Sequence, residues 1–119
     1  MKLAKLNDGP EIFATIQGEG VSAGQPAVFI RASQCNLHCV WCDTDYTWNW
    51  DGTPWPHERD GEPGYAKFTK AEQQVELTPA DVAAAASGFP ARHLVVTGGE
   101  PLLQEEEFTD VLEILHGRD

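Results

Sequence analysis

The chain has 119 residues, of which 41% are apolar and 23% charged, with 19 acids against 8 bases and a formal net charge of −11. That balance is ordinary for a soluble globular domain, and with no basic patch it argues against nucleic acid or an anionic membrane surface as partner. No apolar run approaches membrane-spanning length and the N-terminus has no signal-peptide core. Three cysteines crowded between Cys35 and Cys42 make a poor disulfide framework, so the sequence reads as one cytoplasmic domain.

Residues 1–10 are mixed in character and read as peripheral. Glu11–Ile16 alternates apolar and polar residues around Phe13, which predicts a short strand or extended arm. It runs into Gln17-Gly18-Glu19-Gly20, where two glycines flank a carboxylate. Such glycines serve either a tight turn between strands or a close approach of backbone to a ligand. Ala27–Ala32 is a compact apolar run after Gly24 and Pro26 and is expected to be the first buried strand. Arg31 near its end needs a partner. A bound carboxylate suits the bidentate guanidinium, and a structural ion pair with Glu19 or Asp43 does so equally.

Directly after that strand come all three cysteines, Cys35, Cys39 and Cys42, in the spacing C-x3-C-x2-C. One loop can aim three thiolates so spaced at a single centre, and thiolates are the usual ligands of iron–sulfur clusters. A four-iron cluster held by three cysteines leaves one iron open to a small molecule. A structural zinc ion would want a fourth ligand, from His38, Asp43 or His57. His57 itself reads as a surface residue.

Residues 45–77 carry Trp48, Trp50 and Trp55 among several prolines and glycines, which predicts an ordered insertion that packs its tryptophans on the domain or covers a substrate. Thr78-Pro79-Ala80-Asp81 is a helix start with an N-cap, a proline in the first turn and an acid three residues on, and that helix should end near Gly88. His93–Thr97 predicts a second buried strand closing on Gly98-Gly99-Glu100-Pro101. Phe108, Val111, Leu112 and Leu115 mark one face of a final helix ending near Gly117. The order strand, loop, helix, strand, loop, helix predicts a parallel α/β arrangement, with the cysteine loop and the Gly-Gly turn at the same end of the sheet. Two parallel strands alone leave a thin core and an open edge, so the chain is expected to be the N-terminal part of a longer protein.

The open iron of such a cluster could chelate an amino acid through its amino and carboxylate groups, with the Gly-Gly turn offering backbone contacts and Trp41 a flat surface for a purine. An electron passed to a bound sulfonium would break a carbon–sulfur bond. Cys35-x3-Cys39-x-Trp41-Cys42 with Gly98-Gly99-Glu100-Pro101 resembles the radical S-adenosylmethionine superfamily. Gln17–Gly20, Phe29-Ile30-Arg31, Cys42-Asp43-Thr44 and Thr97–Pro101 together resemble its 7-carboxy-7-deazaguanine synthases.

That resemblance implies a curtailed (β/α) partial barrel, of which residues 1–119 form the first part. It implies conversion of 6-carboxy-tetrahydropterin to 7-carboxy-7-deazaguanine, with loss of ammonia, on the way to queuosine. Cys35, Cys39 and Cys42 would hold the 4Fe-4S cluster. Trp41, Cys42, Asp43 and Gly99 would contact S-adenosylmethionine; Ile16, Gln17, Gly18, Arg31 and Thr97 would bind the pterin; and Thr44 would ligate Mg2+. Glu100 would orient its loop or the cofactor's amino group. The implied partners are an electron donor such as flavodoxin and a second copy of the chain, as a homodimer. Since later barrel strands would supply further contacts, these 119 residues are expected not to turn over substrate alone. Two rivals share part of the pattern. A glycyl-radical activase would need the cysteines and the Gly-Gly turn but not Gln17–Gly20 or Arg31, and a zinc-binding module would be colourless.

Overall fold

The computed structural model describes residues 1–117. Its centre is the apolar run foreseen at Ala27–Ala32, which forms a strand over Pro26–Ala32. In chain order the strands are β1 (Lys2–Leu6), β2 (Gly9–Pro10), β3 (Ile12–Ile16), β4 (Pro26–Ala32), β5 (Gln74–Glu76) and β6 (His93–Gly98). The helices are α1 (Lys70–Gln73), α2 (Pro79–Ser87) and α3 (Glu105–His116), with short 3-10 turns at Asp45–Thr47 and Pro101–Gln104.

The expected parallel pair exists, with β4 and β6 running together from Ala27 opposite His93 to Ala32 opposite Gly98. The crossover between them includes α2, whose start follows the predicted chemistry: the Thr78 side chain accepts from the Asp81 N–H, with proline in the first turn. Helix α3 opens on Glu105, Glu106 and Glu107, which suit the positive end of its dipole, and is capped at Gly117.

Val28, Ile30 and Ala32 alternate along β4 toward one face, where they meet Val82, Ala83 and Ala86 of α2 and Phe108 and Val111 of α3; Leu94 and Val96 of β6 pack beside them. The intervening residues Phe29 and Arg31 therefore point to the opposite face, in register with Val95 and Thr97 of β6. Phe13 of β3 stacks on Phe29 there, with ring centroids 5.5 Å apart.

Three expectations need correction. Residues 1–10 are not peripheral: β1 pairs antiparallel with β4 and β5, and Leu3 and Ala4 are fully buried. Pairing with distant residues supplies this burial, which local composition cannot show. Among the described residues the sheet has six strands, beyond the expected parallel pair, and within it only β4–β6 is parallel, because β3 joins β4 by a hairpin and β1, β2 and β5 pair antiparallel. Leu112, placed on the buried stripe of α3, is 39% exposed. One side chain ties the assembly together. Buried Gln104 accepts from the Lys2 N–H at 2.6 Å and donates to the carbonyls of Lys2 at 2.8 Å and Ser33 at 3.2 Å.

Candidate functional site

The cysteine loop leaves the carboxyl end of β4, and the Gly98-Gly99 turn leaves the same end of β6. The two touch. Gly99 donates its N–H to the Ala32 carbonyl at 3.1 Å and Glu100 donates to the Gln34 carbonyl at 2.9 Å. A Cβ on Gly99 would collide with the Gln34 carbonyl and lie 3.2 Å from the Cβ of Cys35, and one on Gly98, whose φ is +138°, would strike the backbone of Ala32. Glycine is required at both positions because backbone passes against backbone. Glu100 accepts from the Leu102 N–H at 3.1 Å and so orients its own loop, one of the two roles expected of it.

Cys35, Cys39 and Cys42 are free thiols, half-buried on one loop. The Leu37 N–H points at Cys35 Sγ (3.4 Å), the Thr44 hydroxyl lies 3.6 Å from Cys42 Sγ, and Cys42 donates its N–H to the Cys39 carbonyl at 3.0 Å. Gln34 and His38 adopt left-handed backbone, with φ of 77° and 50°. Among the described residues no three His, Cys, Asp or Glu side chains are grouped as a single metal ion would need. Three separated thiols, with the Leu37 N–H donating to one sulfur and the Thr44 hydroxyl beside another, fit a cluster, whose irons reach several sulfurs, better than one zinc ion. Around them Leu37, Val40 and Trp41 are exposed, Trp41 by 68%, with Leu102 and Leu103 exposed at the neighbouring turn. Asp43 is exposed and Thr44 half-buried; the Thr44 carbonyl accepts from Thr47 and opens the 3-10 turn at Asp45.

Arg31 and Thr97 are directly paired across β4 and β6 and share the face opposite the helices. The partner of Arg31 is neither Glu19 nor Asp43. Its Nε makes a short ion pair with Glu11, whose carboxylate is buried and also accepts from the Tyr46 hydroxyl at 2.8 Å. Burial, reinforced by that bond to Glu11, pushes the Tyr46 phenol well above its ordinary range. Continuing the Ile12–Ile30 register one step brings Glu11 beside Arg31, so a firm hairpin reading of residues 11–32 would have found the pair. Glu11 occupies only Nε, and the terminal guanidinium nitrogens have no hydrogen-bond partner among the described residues.

Ile16, Gln17 and Gly18 are not brought to this place. Ile16 pairs with Pro26, and the span from Pro26 to Arg31 is roughly 16 Å of strand. Gln17 closes the β3–β4 hairpin instead: its N–H donates to the Gln25 carbonyl, its carbonyl accepts from Gly24, and its side chain accepts from the Glu19 N–H. The glycine-flanked motif forms the turn of that hairpin.

His57 is the residue most misread from sequence. It is 4% exposed, its Nε2 lies 2.7 Å from the Cys42 carbonyl, and its ring stacks near Tyr65. Behind it buried Asp45 and Asn49 and half-buried Tyr65 and Lys67 form a hydrogen-bonded network. The Asn49 amide donates to Asp45 (3.0 Å) and to the Tyr65 hydroxyl (2.8 Å), and its oxygen accepts from Lys67 Nζ (2.6 Å). Trp48 and Trp50 are buried and Trp55 is 40% exposed, so the insertion packs two of its three tryptophans inward. Its last residues include α1 and β5 and rejoin the sheet.

Comparison with known proteins gives concordant relatives. The model of a 4Fe-4S single cluster domain matches residues 16–118. The 7-carboxy-7-deazaguanine synthase of Escherichia coli strain K12 is 37% identical over 110 residues, covering 87% of this chain and 46% of that protein. The enzyme of the same name from Neisseria meningitidis serogroup B is 36% identical over 111 residues, covering 86% and 40%. The crystal structure of QueE from Escherichia coli superposes with a TM-score of 0.62 at 28% identity, covering 98% of this chain and 48% of that one. The chain thus spans about half the length of the curated relatives it matches. No helix among the described residues is long and apolar enough to cross a membrane. With most of its length matched, a cysteine loop built against a Gly-Gly turn, and the fold of half of QueE, the chain belongs to the 4Fe-4S single cluster domain family, and it resembles the 7-carboxy-7-deazaguanine synthases.

Proposed function

We propose that this chain carries the cluster and cofactor side of a 7-carboxy-7-deazaguanine synthase, which converts 6-carboxy-tetrahydropterin to 7-carboxy-7-deazaguanine with loss of ammonia. The observation that carries this reading is the packing of Gly99 against Gln34 and Cys35, which joins the cysteine loop to the second special turn above paired Arg31 and Thr97. The relatives' names point to the same reaction and set the activase aside.

Cys35, Cys39 and Cys42 would ligate the cluster, which when bound would supply the electron that breaks the carbon–sulfur bond of S-adenosylmethionine. Exposed Trp41 would offer a ring face to the adenine, and Cys42, Asp43 and Gly99 would make the other contacts to the cofactor. Arg31 holds the substrate carboxylate with its terminal nitrogens while Glu11 and Tyr46 fix the guanidinium plane, a bidentate geometry that lysine could not reproduce. Thr97 stands beside it across the parallel pair. Ile16, Gln17 and Gly18 lie outside this set, at the far end of β4. Thr44 enters as a Mg2+ ligand through its hydroxyl, a cation that favours oxygen donors and retained water. A small electron donor such as flavodoxin, a cytoplasmic setting and a homodimeric assembly complete the reading.

The test is anaerobic loading with iron and sulfide, followed by reduction and electron paramagnetic resonance with and without S-adenosylmethionine. A reduced four-iron signal that changes on adding the cofactor is the expected result. A colourless protein with one zinc bound would overturn it. Arg31→Lys should then lose most affinity for the carboxylated pterin and keep the cofactor-dependent change in the spectrum.

A further inference from the structure

We propose that residues 55–58 of the insertion form a brace for the cysteine loop, with His57 as a positioning residue for Cys42; this rests on the cluster reading above. Three ties fall in four residues. The Trp55 ring stacks on His38 with centroids 4.0 Å apart and planes 9° from parallel. Glu58 donates its N–H to the Val40 carbonyl at 2.8 Å. His57 Nε2 meets the Cys42 carbonyl at 2.7 Å. Cys39 is therefore flanked on both sides by residues the insertion holds, and Cys42 is held by its own carbonyl.

The direction of the His57 bond follows from its other nitrogen. Nδ1 lies 3.2 Å from the Arg59 N–H, which can only donate, so Nδ1 accepts and the ring hydrogen sits on Nε2, donating to Cys42. Burial and the neighbouring Trp48, Asp45 and Tyr65 keep the imidazole in one orientation. The tie at His38 matters for a second reason. A non-glycine residue at φ of 50° is uncommon, and the stacked Trp55 with the edge-on Trp48 at 5.5 Å holds it there. A loop already shaped by these contacts need not be ordered when its ligands are filled, and outer contacts of this kind set how tightly a metal centre is kept.

The experiment uses the full chain loaded with its cluster and challenged with EDTA, following the decay of the cluster's visible absorption. His57→Ala and Trp55→Leu should each lose the cluster about tenfold faster or more, the usual scale for removing an outer-sphere contact. His57→Gln, which offers an N–H donor to the same carbonyl, should recover most of the retention. It should also restore the resonance spectrum that His57→Ala alters in the presence of S-adenosylmethionine. Retention and spectra unchanged in both His57→Ala and Trp55→Leu would overturn the brace. If His57→Ala fails to fold by circular dichroism, Trp55→Leu at its half-exposed position decides the matter by the same two outcomes. An unaltered chain that takes up no four-iron cluster would remove the reading beneath the brace, and the brace with it.

Discussion

The two sides of this molecule are held together by different physics. The helix side of the sheet is apolar: Val28, Ile30 and Ala32 meet Val82, Ala86, Phe108 and Val111, and the contacts are non-directional. Within the insertion, residues 45–68 bury Asp45, Thr47, Asn49 and His57, and each of these four side chains has a hydrogen-bond partner, while the buried Trp48 Nε1 has none among the described residues. An apolar core tolerates a change that conserves volume, whereas a polar network tolerates none that leaves one partner behind. The second kind of region fixes the position of its atoms more narrowly. Here it is the one that touches the cysteine loop.

The largest effect that separates the two sides is expected from Phe108→Ala. It opens a cavity under α3 and should cost about 3–5 kcal/mol in denaturant unfolding. Cluster retention in the molecules that remain folded should hardly change, and a large loss there would mean that the two sides are not separable. A smaller cost, about 1–3 kcal/mol, is expected of Asn49→Leu, which takes one partner each from the Lys67 amine, the Tyr65 hydroxyl and Asp45 and leaves apolar carbon against them. Lys67→Met, which also gives up the bond to the Trp55 carbonyl, should cost less in the Asn49→Leu background than alone, because the bond between the two side chains is already gone there. Strictly additive costs in the double variant would show that the network acts by shape and not by pairing.

The smallest effect is a matter of pH. Burial, then the bond to Asp45, raises the Tyr65 phenol from 10.0 to about 12, so the fold favours the protonated ring. The resulting stability is whole below pH 10 and is lost as the pH climbs toward 12. Urea midpoints compared below pH 10 and near pH 12 should fall more in the unaltered chain than in Tyr65→Phe; equal falls would place the alkaline loss elsewhere.

Much of the parallel unit was legible in the sequence because its signals are local. Ala27–Ala32 and His93–Thr97 are short apolar runs bounded by glycine and proline, and Thr78-Pro79-Ala80-Asp81 is a helix start whose hydrogen bond is made within four residues. From them the meeting of the cysteine loop and the Gly-Gly turn followed by topology alone. Strand β1 was not legible, since Lys2 and Lys5 flank only Leu3 and Ala4, and the burial of those two is decided by residues 32 and 74–76. Glu11 was missed as the partner of Arg31 because the register of a hairpin, and not proximity in sequence, selects it. His57 was missed because a lone histidine among prolines and glycines carries no pattern. Its burial depends on Trp48 and Tyr65 closing over it.

Gln104 has a consequence for the geometry of the whole sheet. Strands β1 and β4 share a single paired position, Leu3 with Ala32, which by itself is a weak statement of alignment. A slip of one residue would turn Leu3 and Ala4 each to the wrong face. The Gln104 amide grips both polar groups of Lys2 and the carbonyl of Ser33 at once, so it measures the offset between the two strands as a pin through two holes does. The residue that follows the Gly-Gly turn into α3 thus sets the alignment of the first strand of the chain against the strand that delivers the cysteines.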